Sequence, residues 1–232
     1  MPISVLSWNM YYGNLPNSTP VQRFNHIAQI AANNNIDVVL LQEHPGITSN
    51  FVHPNGLLNG AVVPPNYQYQ VIQEMNANIH NRASASNRAY AILFRNTCAL
   101  ANTSYFNQNN FILPTQSYLR CPVQYQITHN YINYNLFNWH NETGNWAADG
   151  INIFTQQALP PNTILIGDLN LTAHNINGIH FFNNWYDVVA AHVNHIFGVD
   201  HILSLLYCNP IIGNQLNFIS DANHFPIAAN VN

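Results

Sequence analysis

The feature that most restricts how this chain can fold is a set of short, unbroken apolar runs. Asp37 to Gln42 reads DVVLLQ, Ala89 to Phe94 AYAILF, Tyr134 to Trp139 YNLFNW and Thr163 to Ile166 TILI. Runs this short suit strands, and their lack of alternation means that both faces of each strand are covered. Ile3 to Ser7 reads as another buried strand, and Ile202 to Leu206 and Phe225 to Ala229 read as closing strands. Val21, Phe24, Ile27, Ile30 and Ala31 have helical spacing, and Asn33-Asn34-Asn35 ends that helix. Trp146 to Gln157 reads as a second helix and Val188 to Val193 as a further one. A strand–helix–strand opening followed mostly by strands predicts a mixed α/β fold with two packed sheets. There is no fixed-period repeat and no composition shift, so residues 1–232 read as a single domain.

Charge is scarce. Asp, Glu, Lys and Arg make up 6% of the chain, against roughly a quarter in an ordinary soluble domain. The five bases are all arginine: Arg23, Arg82, Arg88, Arg95 and Arg120. A net charge of −4 without lysine excludes a polybasic nucleic-acid binder. No apolar run is long enough to span a membrane, and the opening MPISV has no secretory-leader pattern. Cys98, Cys121 and Cys208 are widely spaced and read as buried small hydrophobes, with at most one disulfide among them. Sequons occur at Asn17, Asn102, Asn141 and Asn170. A glycan on either of the last two would obstruct the motifs described below, which disfavours folding in a glycosylating compartment.

The nine carboxylates can be taken singly. Asp37, Asp149 and Asp187 read as caps or turn residues, and Glu74 and Glu142 as solvated side chains in polar stretches. Glu43, Asp168, Asp200 and Asp221 differ, because each stands at the end of an apolar strand. A charge there costs desolvation unless it is paired or binds metal, and strand ends are where sites gather in α/β folds. Of the 12 histidines, His140 and His224 have comparable strand-end positions. Zinc-type histidine spacing, GxSxG, Walker A and GxGxxG are all absent. Glu43 with an amide such as Asn9 would offer oxygen ligands to Mg²⁺. Asp168 and Asn170 could orient a water, and a carboxylate-paired His could exchange protons. Such a set suits phosphoester hydrolysis.

Ser7-Trp8-Asn9, Gln42-Glu43, Trp139-His140, Gly167-Asp168-Leu169-Asn170, Val199-Asp200-His201 and His224-Phe225-Pro226 follow one another along nearly the whole chain. In that order they resemble the motifs of the DNase I-like endonuclease/exonuclease/phosphatase superfamily. The resemblance implies a four-layer α/β/β/α sandwich and a divalent cation such as Mg²⁺. SWNMYYG, IDVVLLQEHPG, NWHNETGNWAADGINIF and HFPI further resemble segments of the nuclease component of cytolethal distending toxin. Arg88 matches the arginine of that branch, where pancreatic-type nucleases carry a glutamate.

The resemblance implies that Glu43 and Asn9 lie in the metal shell and that His140 and His224 are the two catalytic imidazoles. Asp200 would orient His224, Asp168 and Asn170 would position the nucleophile or phosphate, and Arg88 and Arg120 would hold phosphate oxygens. For Arg120, a strand-edge surface charge is the plainer alternative. The chain departs from the family's contiguous Ser-Asp-His, reading Ser220-Asp221-Ala222-Asn223-His224. The register of HFPI places Asn223 beside His224 as a metal ligand without charge, which implies weaker metal binding. The alternative is that Asp221 loops back into the site. Three functions follow: a toxin-type nuclease cleaving DNA, a phosphoinositide phosphatase, and an impaired member acting by binding. The first implies a secreted or translocated bacterial-type effector acting inside a target cell, with delivery subunits as partners.

Overall fold

The computed structural model describes residues 2–46, 49–50, 52, 56–75, 85–113, 119–189, 200–211, 224 and 226–232. Asp221, Asn223, Phe225 and Val199 lie outside the described residues, as do Arg82 and the part of the expected third helix beyond Val189. The strands are β1 (Ile3–Asn9), β2 (Val38–Pro45), β3 (Tyr67–Met75), β4 (Ala85–Arg95), β5 (Cys98–Tyr105), β6 (Val123–His129), β7 (Ile132–His140), β8 (Thr163–Asp168), β9 (Tyr186–Val189), β10 (Asp200–Ser204), β11 (Cys208–Pro210) and β12 (Ile227–Val231). The helices are α1 (Pro20–Asn33), α2 (Asn145–Thr155) and the short α3 (Ala173–Asn177).

The strands form two six-stranded sheets, ordered β11-β12-β1-β2-β4-β3 and β5-β6-β7-β8-β10-β9. Each has one parallel pair at its centre, β1 with β2 and β7 with β8. The other pairings are antiparallel. Side chains alternate across a strand, so the unbroken apolar runs divide between two cores. Ile3, Val5, Val38, Leu40, Tyr90 and Ile92 meet Tyr125, Leu136, Ile164, Ile166 and Ile202 between the sheets. Leu6, Trp8, Val39, Leu41, Ala91 and Leu93 face outward and pack under Phe24, Ile27 and Ala31 of α1. On the second sheet, Phe137, Trp139, Leu165 and Leu203 pack under Ile151 and Phe154 of α2. The result is helix, sheet, sheet, helix in four layers.

The N-terminus of α1 is specified locally. Thr19 and Gln22 form a reciprocal capping box, and Pro20 occupies the first turn, where its missing N–H has no intrahelical partner in any case. No disulfide joins Cys98, Cys121 or Cys208, and all three are buried, as the sequence leads one to expect. Among the described residues, no helix is long and apolar enough to cross a membrane.

Two expectations need correction. Tyr186–Val189 is strand β9, paired antiparallel to β10, and does not begin a helix. The apolar pair Val188-Val189 carries no period of its own, and pairing with β10 decides its state. The closing strand runs over Ile227–Val231, two residues beyond the range expected from sequence.

Candidate active site

The candidate side chains come from one end of both sheets. Asn9 and Glu43 stand at the ends of β1 and β2, His140 and Asp168 at the ends of β7 and β8, and Asp200 opens β10. The parallel pairs put these ends level: Asn9 faces Gln42, and His140 faces Asp168. Asp200 pairs with Asp168 across the antiparallel β8–β10 ladder. Two polar contacts register the sheets beneath the site. Gln42 Nε2 donates to Asn138 Oδ1 at 2.6 Å, and Asn138 Nδ2 donates to the Leu41 carbonyl at 3.1 Å.

Glu43 has a left-handed backbone, with φ of 50°. It falls where the β2–β4 register shifts between Leu41 and His44. For a non-glycine residue this conformation costs about 1–3 kcal/mol, and such outliers concentrate at functional sites. Asn170 is left-handed as well, with φ of 53°. Its backbone N–H donates to Asp168 Oδ1 at 3.1 Å, and its side chain donates to the Asn141 carbonyl at 3.0 Å. The loop carrying Asn9 is clamped by buried Arg23, which donates to the carbonyls of Met10, Tyr11, Gly13 and Ser18.

The resulting cluster is dense in charge. Asn9 Nδ2 donates to Asp168 Oδ2 at 3.0 Å and to Glu43 Oε1 at 3.4 Å. Arg88 NH1 and His140 Nε2 lie 3.4 and 3.3 Å from the same Glu43 oxygen. His224 Nδ1 sits 3.0 Å from Asp200 Oδ2, and its Nε2 lies 3.7 Å from Asp168 Oδ2. Trp8 Nε1 donates to the His224 carbonyl at 3.1 Å, tying this histidine to β1. Burial opposes the charged form of His224. The hydrogen bond and charge of Asp200, with Asp168 and Glu43 behind it, outweigh burial and raise its pKa to about 9.

Nine of the ten residues singled out from sequence can be located, and all nine fall in this cluster. Asn223 lies outside the described residues. Arg120 is not a surface charge: its Nε is 3.0 Å from Glu74 Oε1 and 3.7 Å from Glu142 Oε1, and its NH1 lies against the His140 ring.

Glu74 and Glu142 correct the expectation of solvated side chains. Glu74, near the end of β3, is 3% exposed and stands 3.6 Å from His140 Nδ1. Burial works to raise its pKa, but the hydrogen bond and charge of His140, with Arg120 and Arg88, overcome this and lower it. Asn141 is fully buried, donating to the Ala147 and Leu169 carbonyls, so its sequon is closed to a glycan in the folded chain.

Glu43 Oε2 and Asp200 Oδ1 are buried without a hydrogen-bond partner. Orphaned carboxylate oxygens carry a large desolvation cost, which a cation would offset. Asp168, Asp200 and His224 each offer one ligand atom, and these atoms lie within 4.8 Å of one another. The carboxylate and amide donors here fit a hard divalent cation.

Two mixed sheets under outer helices, with the site where both sheets end, define the DNase I-like α/β sandwich. No protein-family model matches the chain, and no curated protein matches it in sequence. Solved structures do. An endonuclease/exonuclease/phosphatase family protein from Leptotrichia buccalis aligns at TM-score 0.65 and 15% identity over 99% of each chain. A Bacteroides thetaiotaomicron mannosyl-6-phosphatase aligns at 0.63 and 15%, again over 99% of each chain. D. rerio TDP2 complexed with a single-strand DNA product aligns at 0.63 and 15%, over 99% of this chain and 98% of that one. The likeness is one of fold.

Proposed function

We propose that this chain is a divalent-metal-dependent phosphoesterase. The observation that carries the reading is the convergence of Asn9, Glu43, Asp168 and Asp200 with two carboxylate-paired histidines, His140 and His224. Glu43 and Asn9 would hold Mg²⁺, with Asn223 as a further ligand. Bound there, the ion would neutralise phosphate charge and stabilise the charge that develops on the leaving oxygen. Asp168 and Asn170 orient the attacking water. His224, kept protonated at neutral pH by Asp200, donates from Nε2 to the leaving oxygen, and His140 serves as the second imidazole. Arg88, on β4, and Arg120, ahead of β6 and against the His140 ring, would meet the phosphate oxygens.

The substrate we favour is a DNA phosphodiester, hydrolysed by a toxin-like nuclease inside a target cell after delivery by companion subunits. Its support is the sequence resemblance around His140 and at Arg88. A second reading, a phosphoinositide headgroup phosphatase, is favoured by the placement of the arginines. Arg23 is buried under the Asn9 loop and Arg95 pairs with Asp37, so neither can track a nucleic-acid backbone.

Both readings are tested by incubating the protein with supercoiled plasmid and with phosphoinositide vesicles, in Mg²⁺ and in excess chelator. The His140→Ala and His224→Ala variants are run alongside. Nicking should depend on Mg²⁺ and fall by about 100-fold or more in each variant. Equal nicking by all three proteins would overturn the assignment. Phosphate release from vesicles with intact plasmid would move it to the second reading.

A further inference from the structure

The two sheets also meet at the end of the sandwich opposite the active site. Asp37 immediately precedes β2 in the first sheet, while Cys98 opens β5 and His129 closes β6 in the second. The three residues are 7%, 4% and 6% exposed. Cys98 Sγ is 3.5 Å from His129 Nδ1, and His129 Nε2 is 3.8 Å from Asp37 Oδ2. One thiol, one ring nitrogen and one carboxylate oxygen can be chosen within 4.8 Å of one another. None of the three takes part in the phosphoester chemistry proposed above.

We propose that Cys98, His129 and Asp37 form a zinc site that clips the two sheets together. The donor set of thiolate, imidazole and carboxylate is one that Zn²⁺ selects and Mg²⁺ does not. With Zn–S near 2.3 Å and Zn–N near 2.0–2.1 Å, tetrahedral geometry separates sulfur and nitrogen by about 3.5 Å. The observed Sγ–Nδ1 distance is 3.5 Å.

The surroundings orient each ligand, as outer partners do at metal sites. Asn130 Nδ2 lies 2.6 Å from His129 Nε2; with Nδ1 bound to metal, Nε2 carries the proton and the Asn130 amide turns its Oδ1 to accept it. Ser4 donates to Asp37 Oδ2 from its backbone N–H at 2.9 Å and from its hydroxyl at 2.7 Å. These bonds hold the carboxylate beside the His129 ring. Arg95 NH1 pairs with the other oxygen, Oδ1, at 3.6 Å.

A cleft of about 600 Å³, lined by Gln68, Phe94, Asn96, Cys98 and Leu100, opens beside Cys98. Water from this cleft would fill the fourth position on the ion. As the Zn–S bond forms, the Cys98 thiol proton leaves to solvent. Without the metal, burial and the Asp37 charge push the thiol pKa up to about 11, so the sulfur stays protonated and inert.

The test uses the whole chain and Co²⁺ as a spectroscopic stand-in for Zn²⁺. One equivalent should give a thiolate-to-cobalt charge-transfer band that Zn²⁺ abolishes and Mg²⁺ leaves in place. Zn²⁺ should also raise the Tm of the wild type. Cys98→Ala and His129→Asn, each shown by circular dichroism to be folded, should lose both the band and the Tm shift. Cys121→Ala and Cys208→Ala should keep them. Glu43→Gln, aimed at the catalytic cation, should keep the band while losing Mg²⁺-dependent turnover, which separates the two sites. Absence of the band in folded wild type, or its survival in either Cys98→Ala or His129→Asn, would overturn the proposal.

Discussion

At the scale of single residues, the side chain that most changes the picture is Glu74. It gives Arg120 a buried counter-charge and gives His140 a carboxylate on its Nδ1 side, while Glu43 occupies the Nε2 side. The ring is thus fixed at both nitrogens. Glu74→Gln keeps the shape and removes the charge, so turnover should fall by about 10- to 100-fold, the size of loss seen when an orienting partner is removed. KM should change little, because no substrate contact is lost. Steady-state kinetics on whichever phosphoester is turned over decides this; full turnover in the variant would reduce Glu74 to a counter-ion for Arg120. Its role had a trace in the sequence. Val71-Ile72-Gln73-Glu74 ends in Gln-Glu after an apolar pair, as Leu40-Leu41-Gln42-Glu43 does. What hid it was β3 itself, an edge strand with polar residues at alternate positions, which lacks the unbroken apolar run that marks the central strands.

The same physics governs legibility at the scale of elements. Strands buried on both faces, such as β1, β2, β7 and β8, could be read from hydrophobicity alone. The edge strands β3, β5 and β11 could not, since half of each faces water and their partners decide their state. Strand β6 alternates cleanly between buried and half-exposed residues, a signal that was present but weaker than its neighbours'. Within β8, Gly167 shows what close approach demands. Its φ is +139°, and a Cβ there would lie 2.1 Å from the Trp139 carbonyl oxygen on β7. Gly167→Ala must push apart the two strands that end in His140 and Asp168. It should destabilise the fold by about 3 kcal/mol or more, read as a lower urea midpoint. Of the candidate site, the six motifs were legible because most of them close or open a central strand. The pairing of Arg120 with Glu74 was not, because it joins residues from distant parts of the chain that no local pattern relates.

At the scale of the whole molecule, the scarcity of charge becomes a question of where the arginines point. Among the described residues, Arg88 and Arg120 stand at the site, and Arg23 and Arg95 are committed elsewhere. Any binding to duplex DNA should therefore depend only shallowly on salt. The slope of log Kobs against log [NaCl] should be about −2 to −3, from two or three neutralised phosphates. A fluorescence-anisotropy titration over a range of NaCl checks this, and a slope far steeper would reveal a cationic surface beyond the site. Sheet order bears on a different property, the order in which the parts become available during synthesis. Strand β12 lies between β11 and β1, with Val231 opposite Ile3. Strand β1 waits for β12, so this sheet cannot close before Ile227–Val231 has been made. Pairing across so long a stretch of chain is slow and leaves β1 without its neighbour in the meantime. His224, just upstream of β12 and tied to Trp8, takes its place only in that final step. The side chains gathered around Asp168 and Asp200 are therefore completed only once β12 has paired.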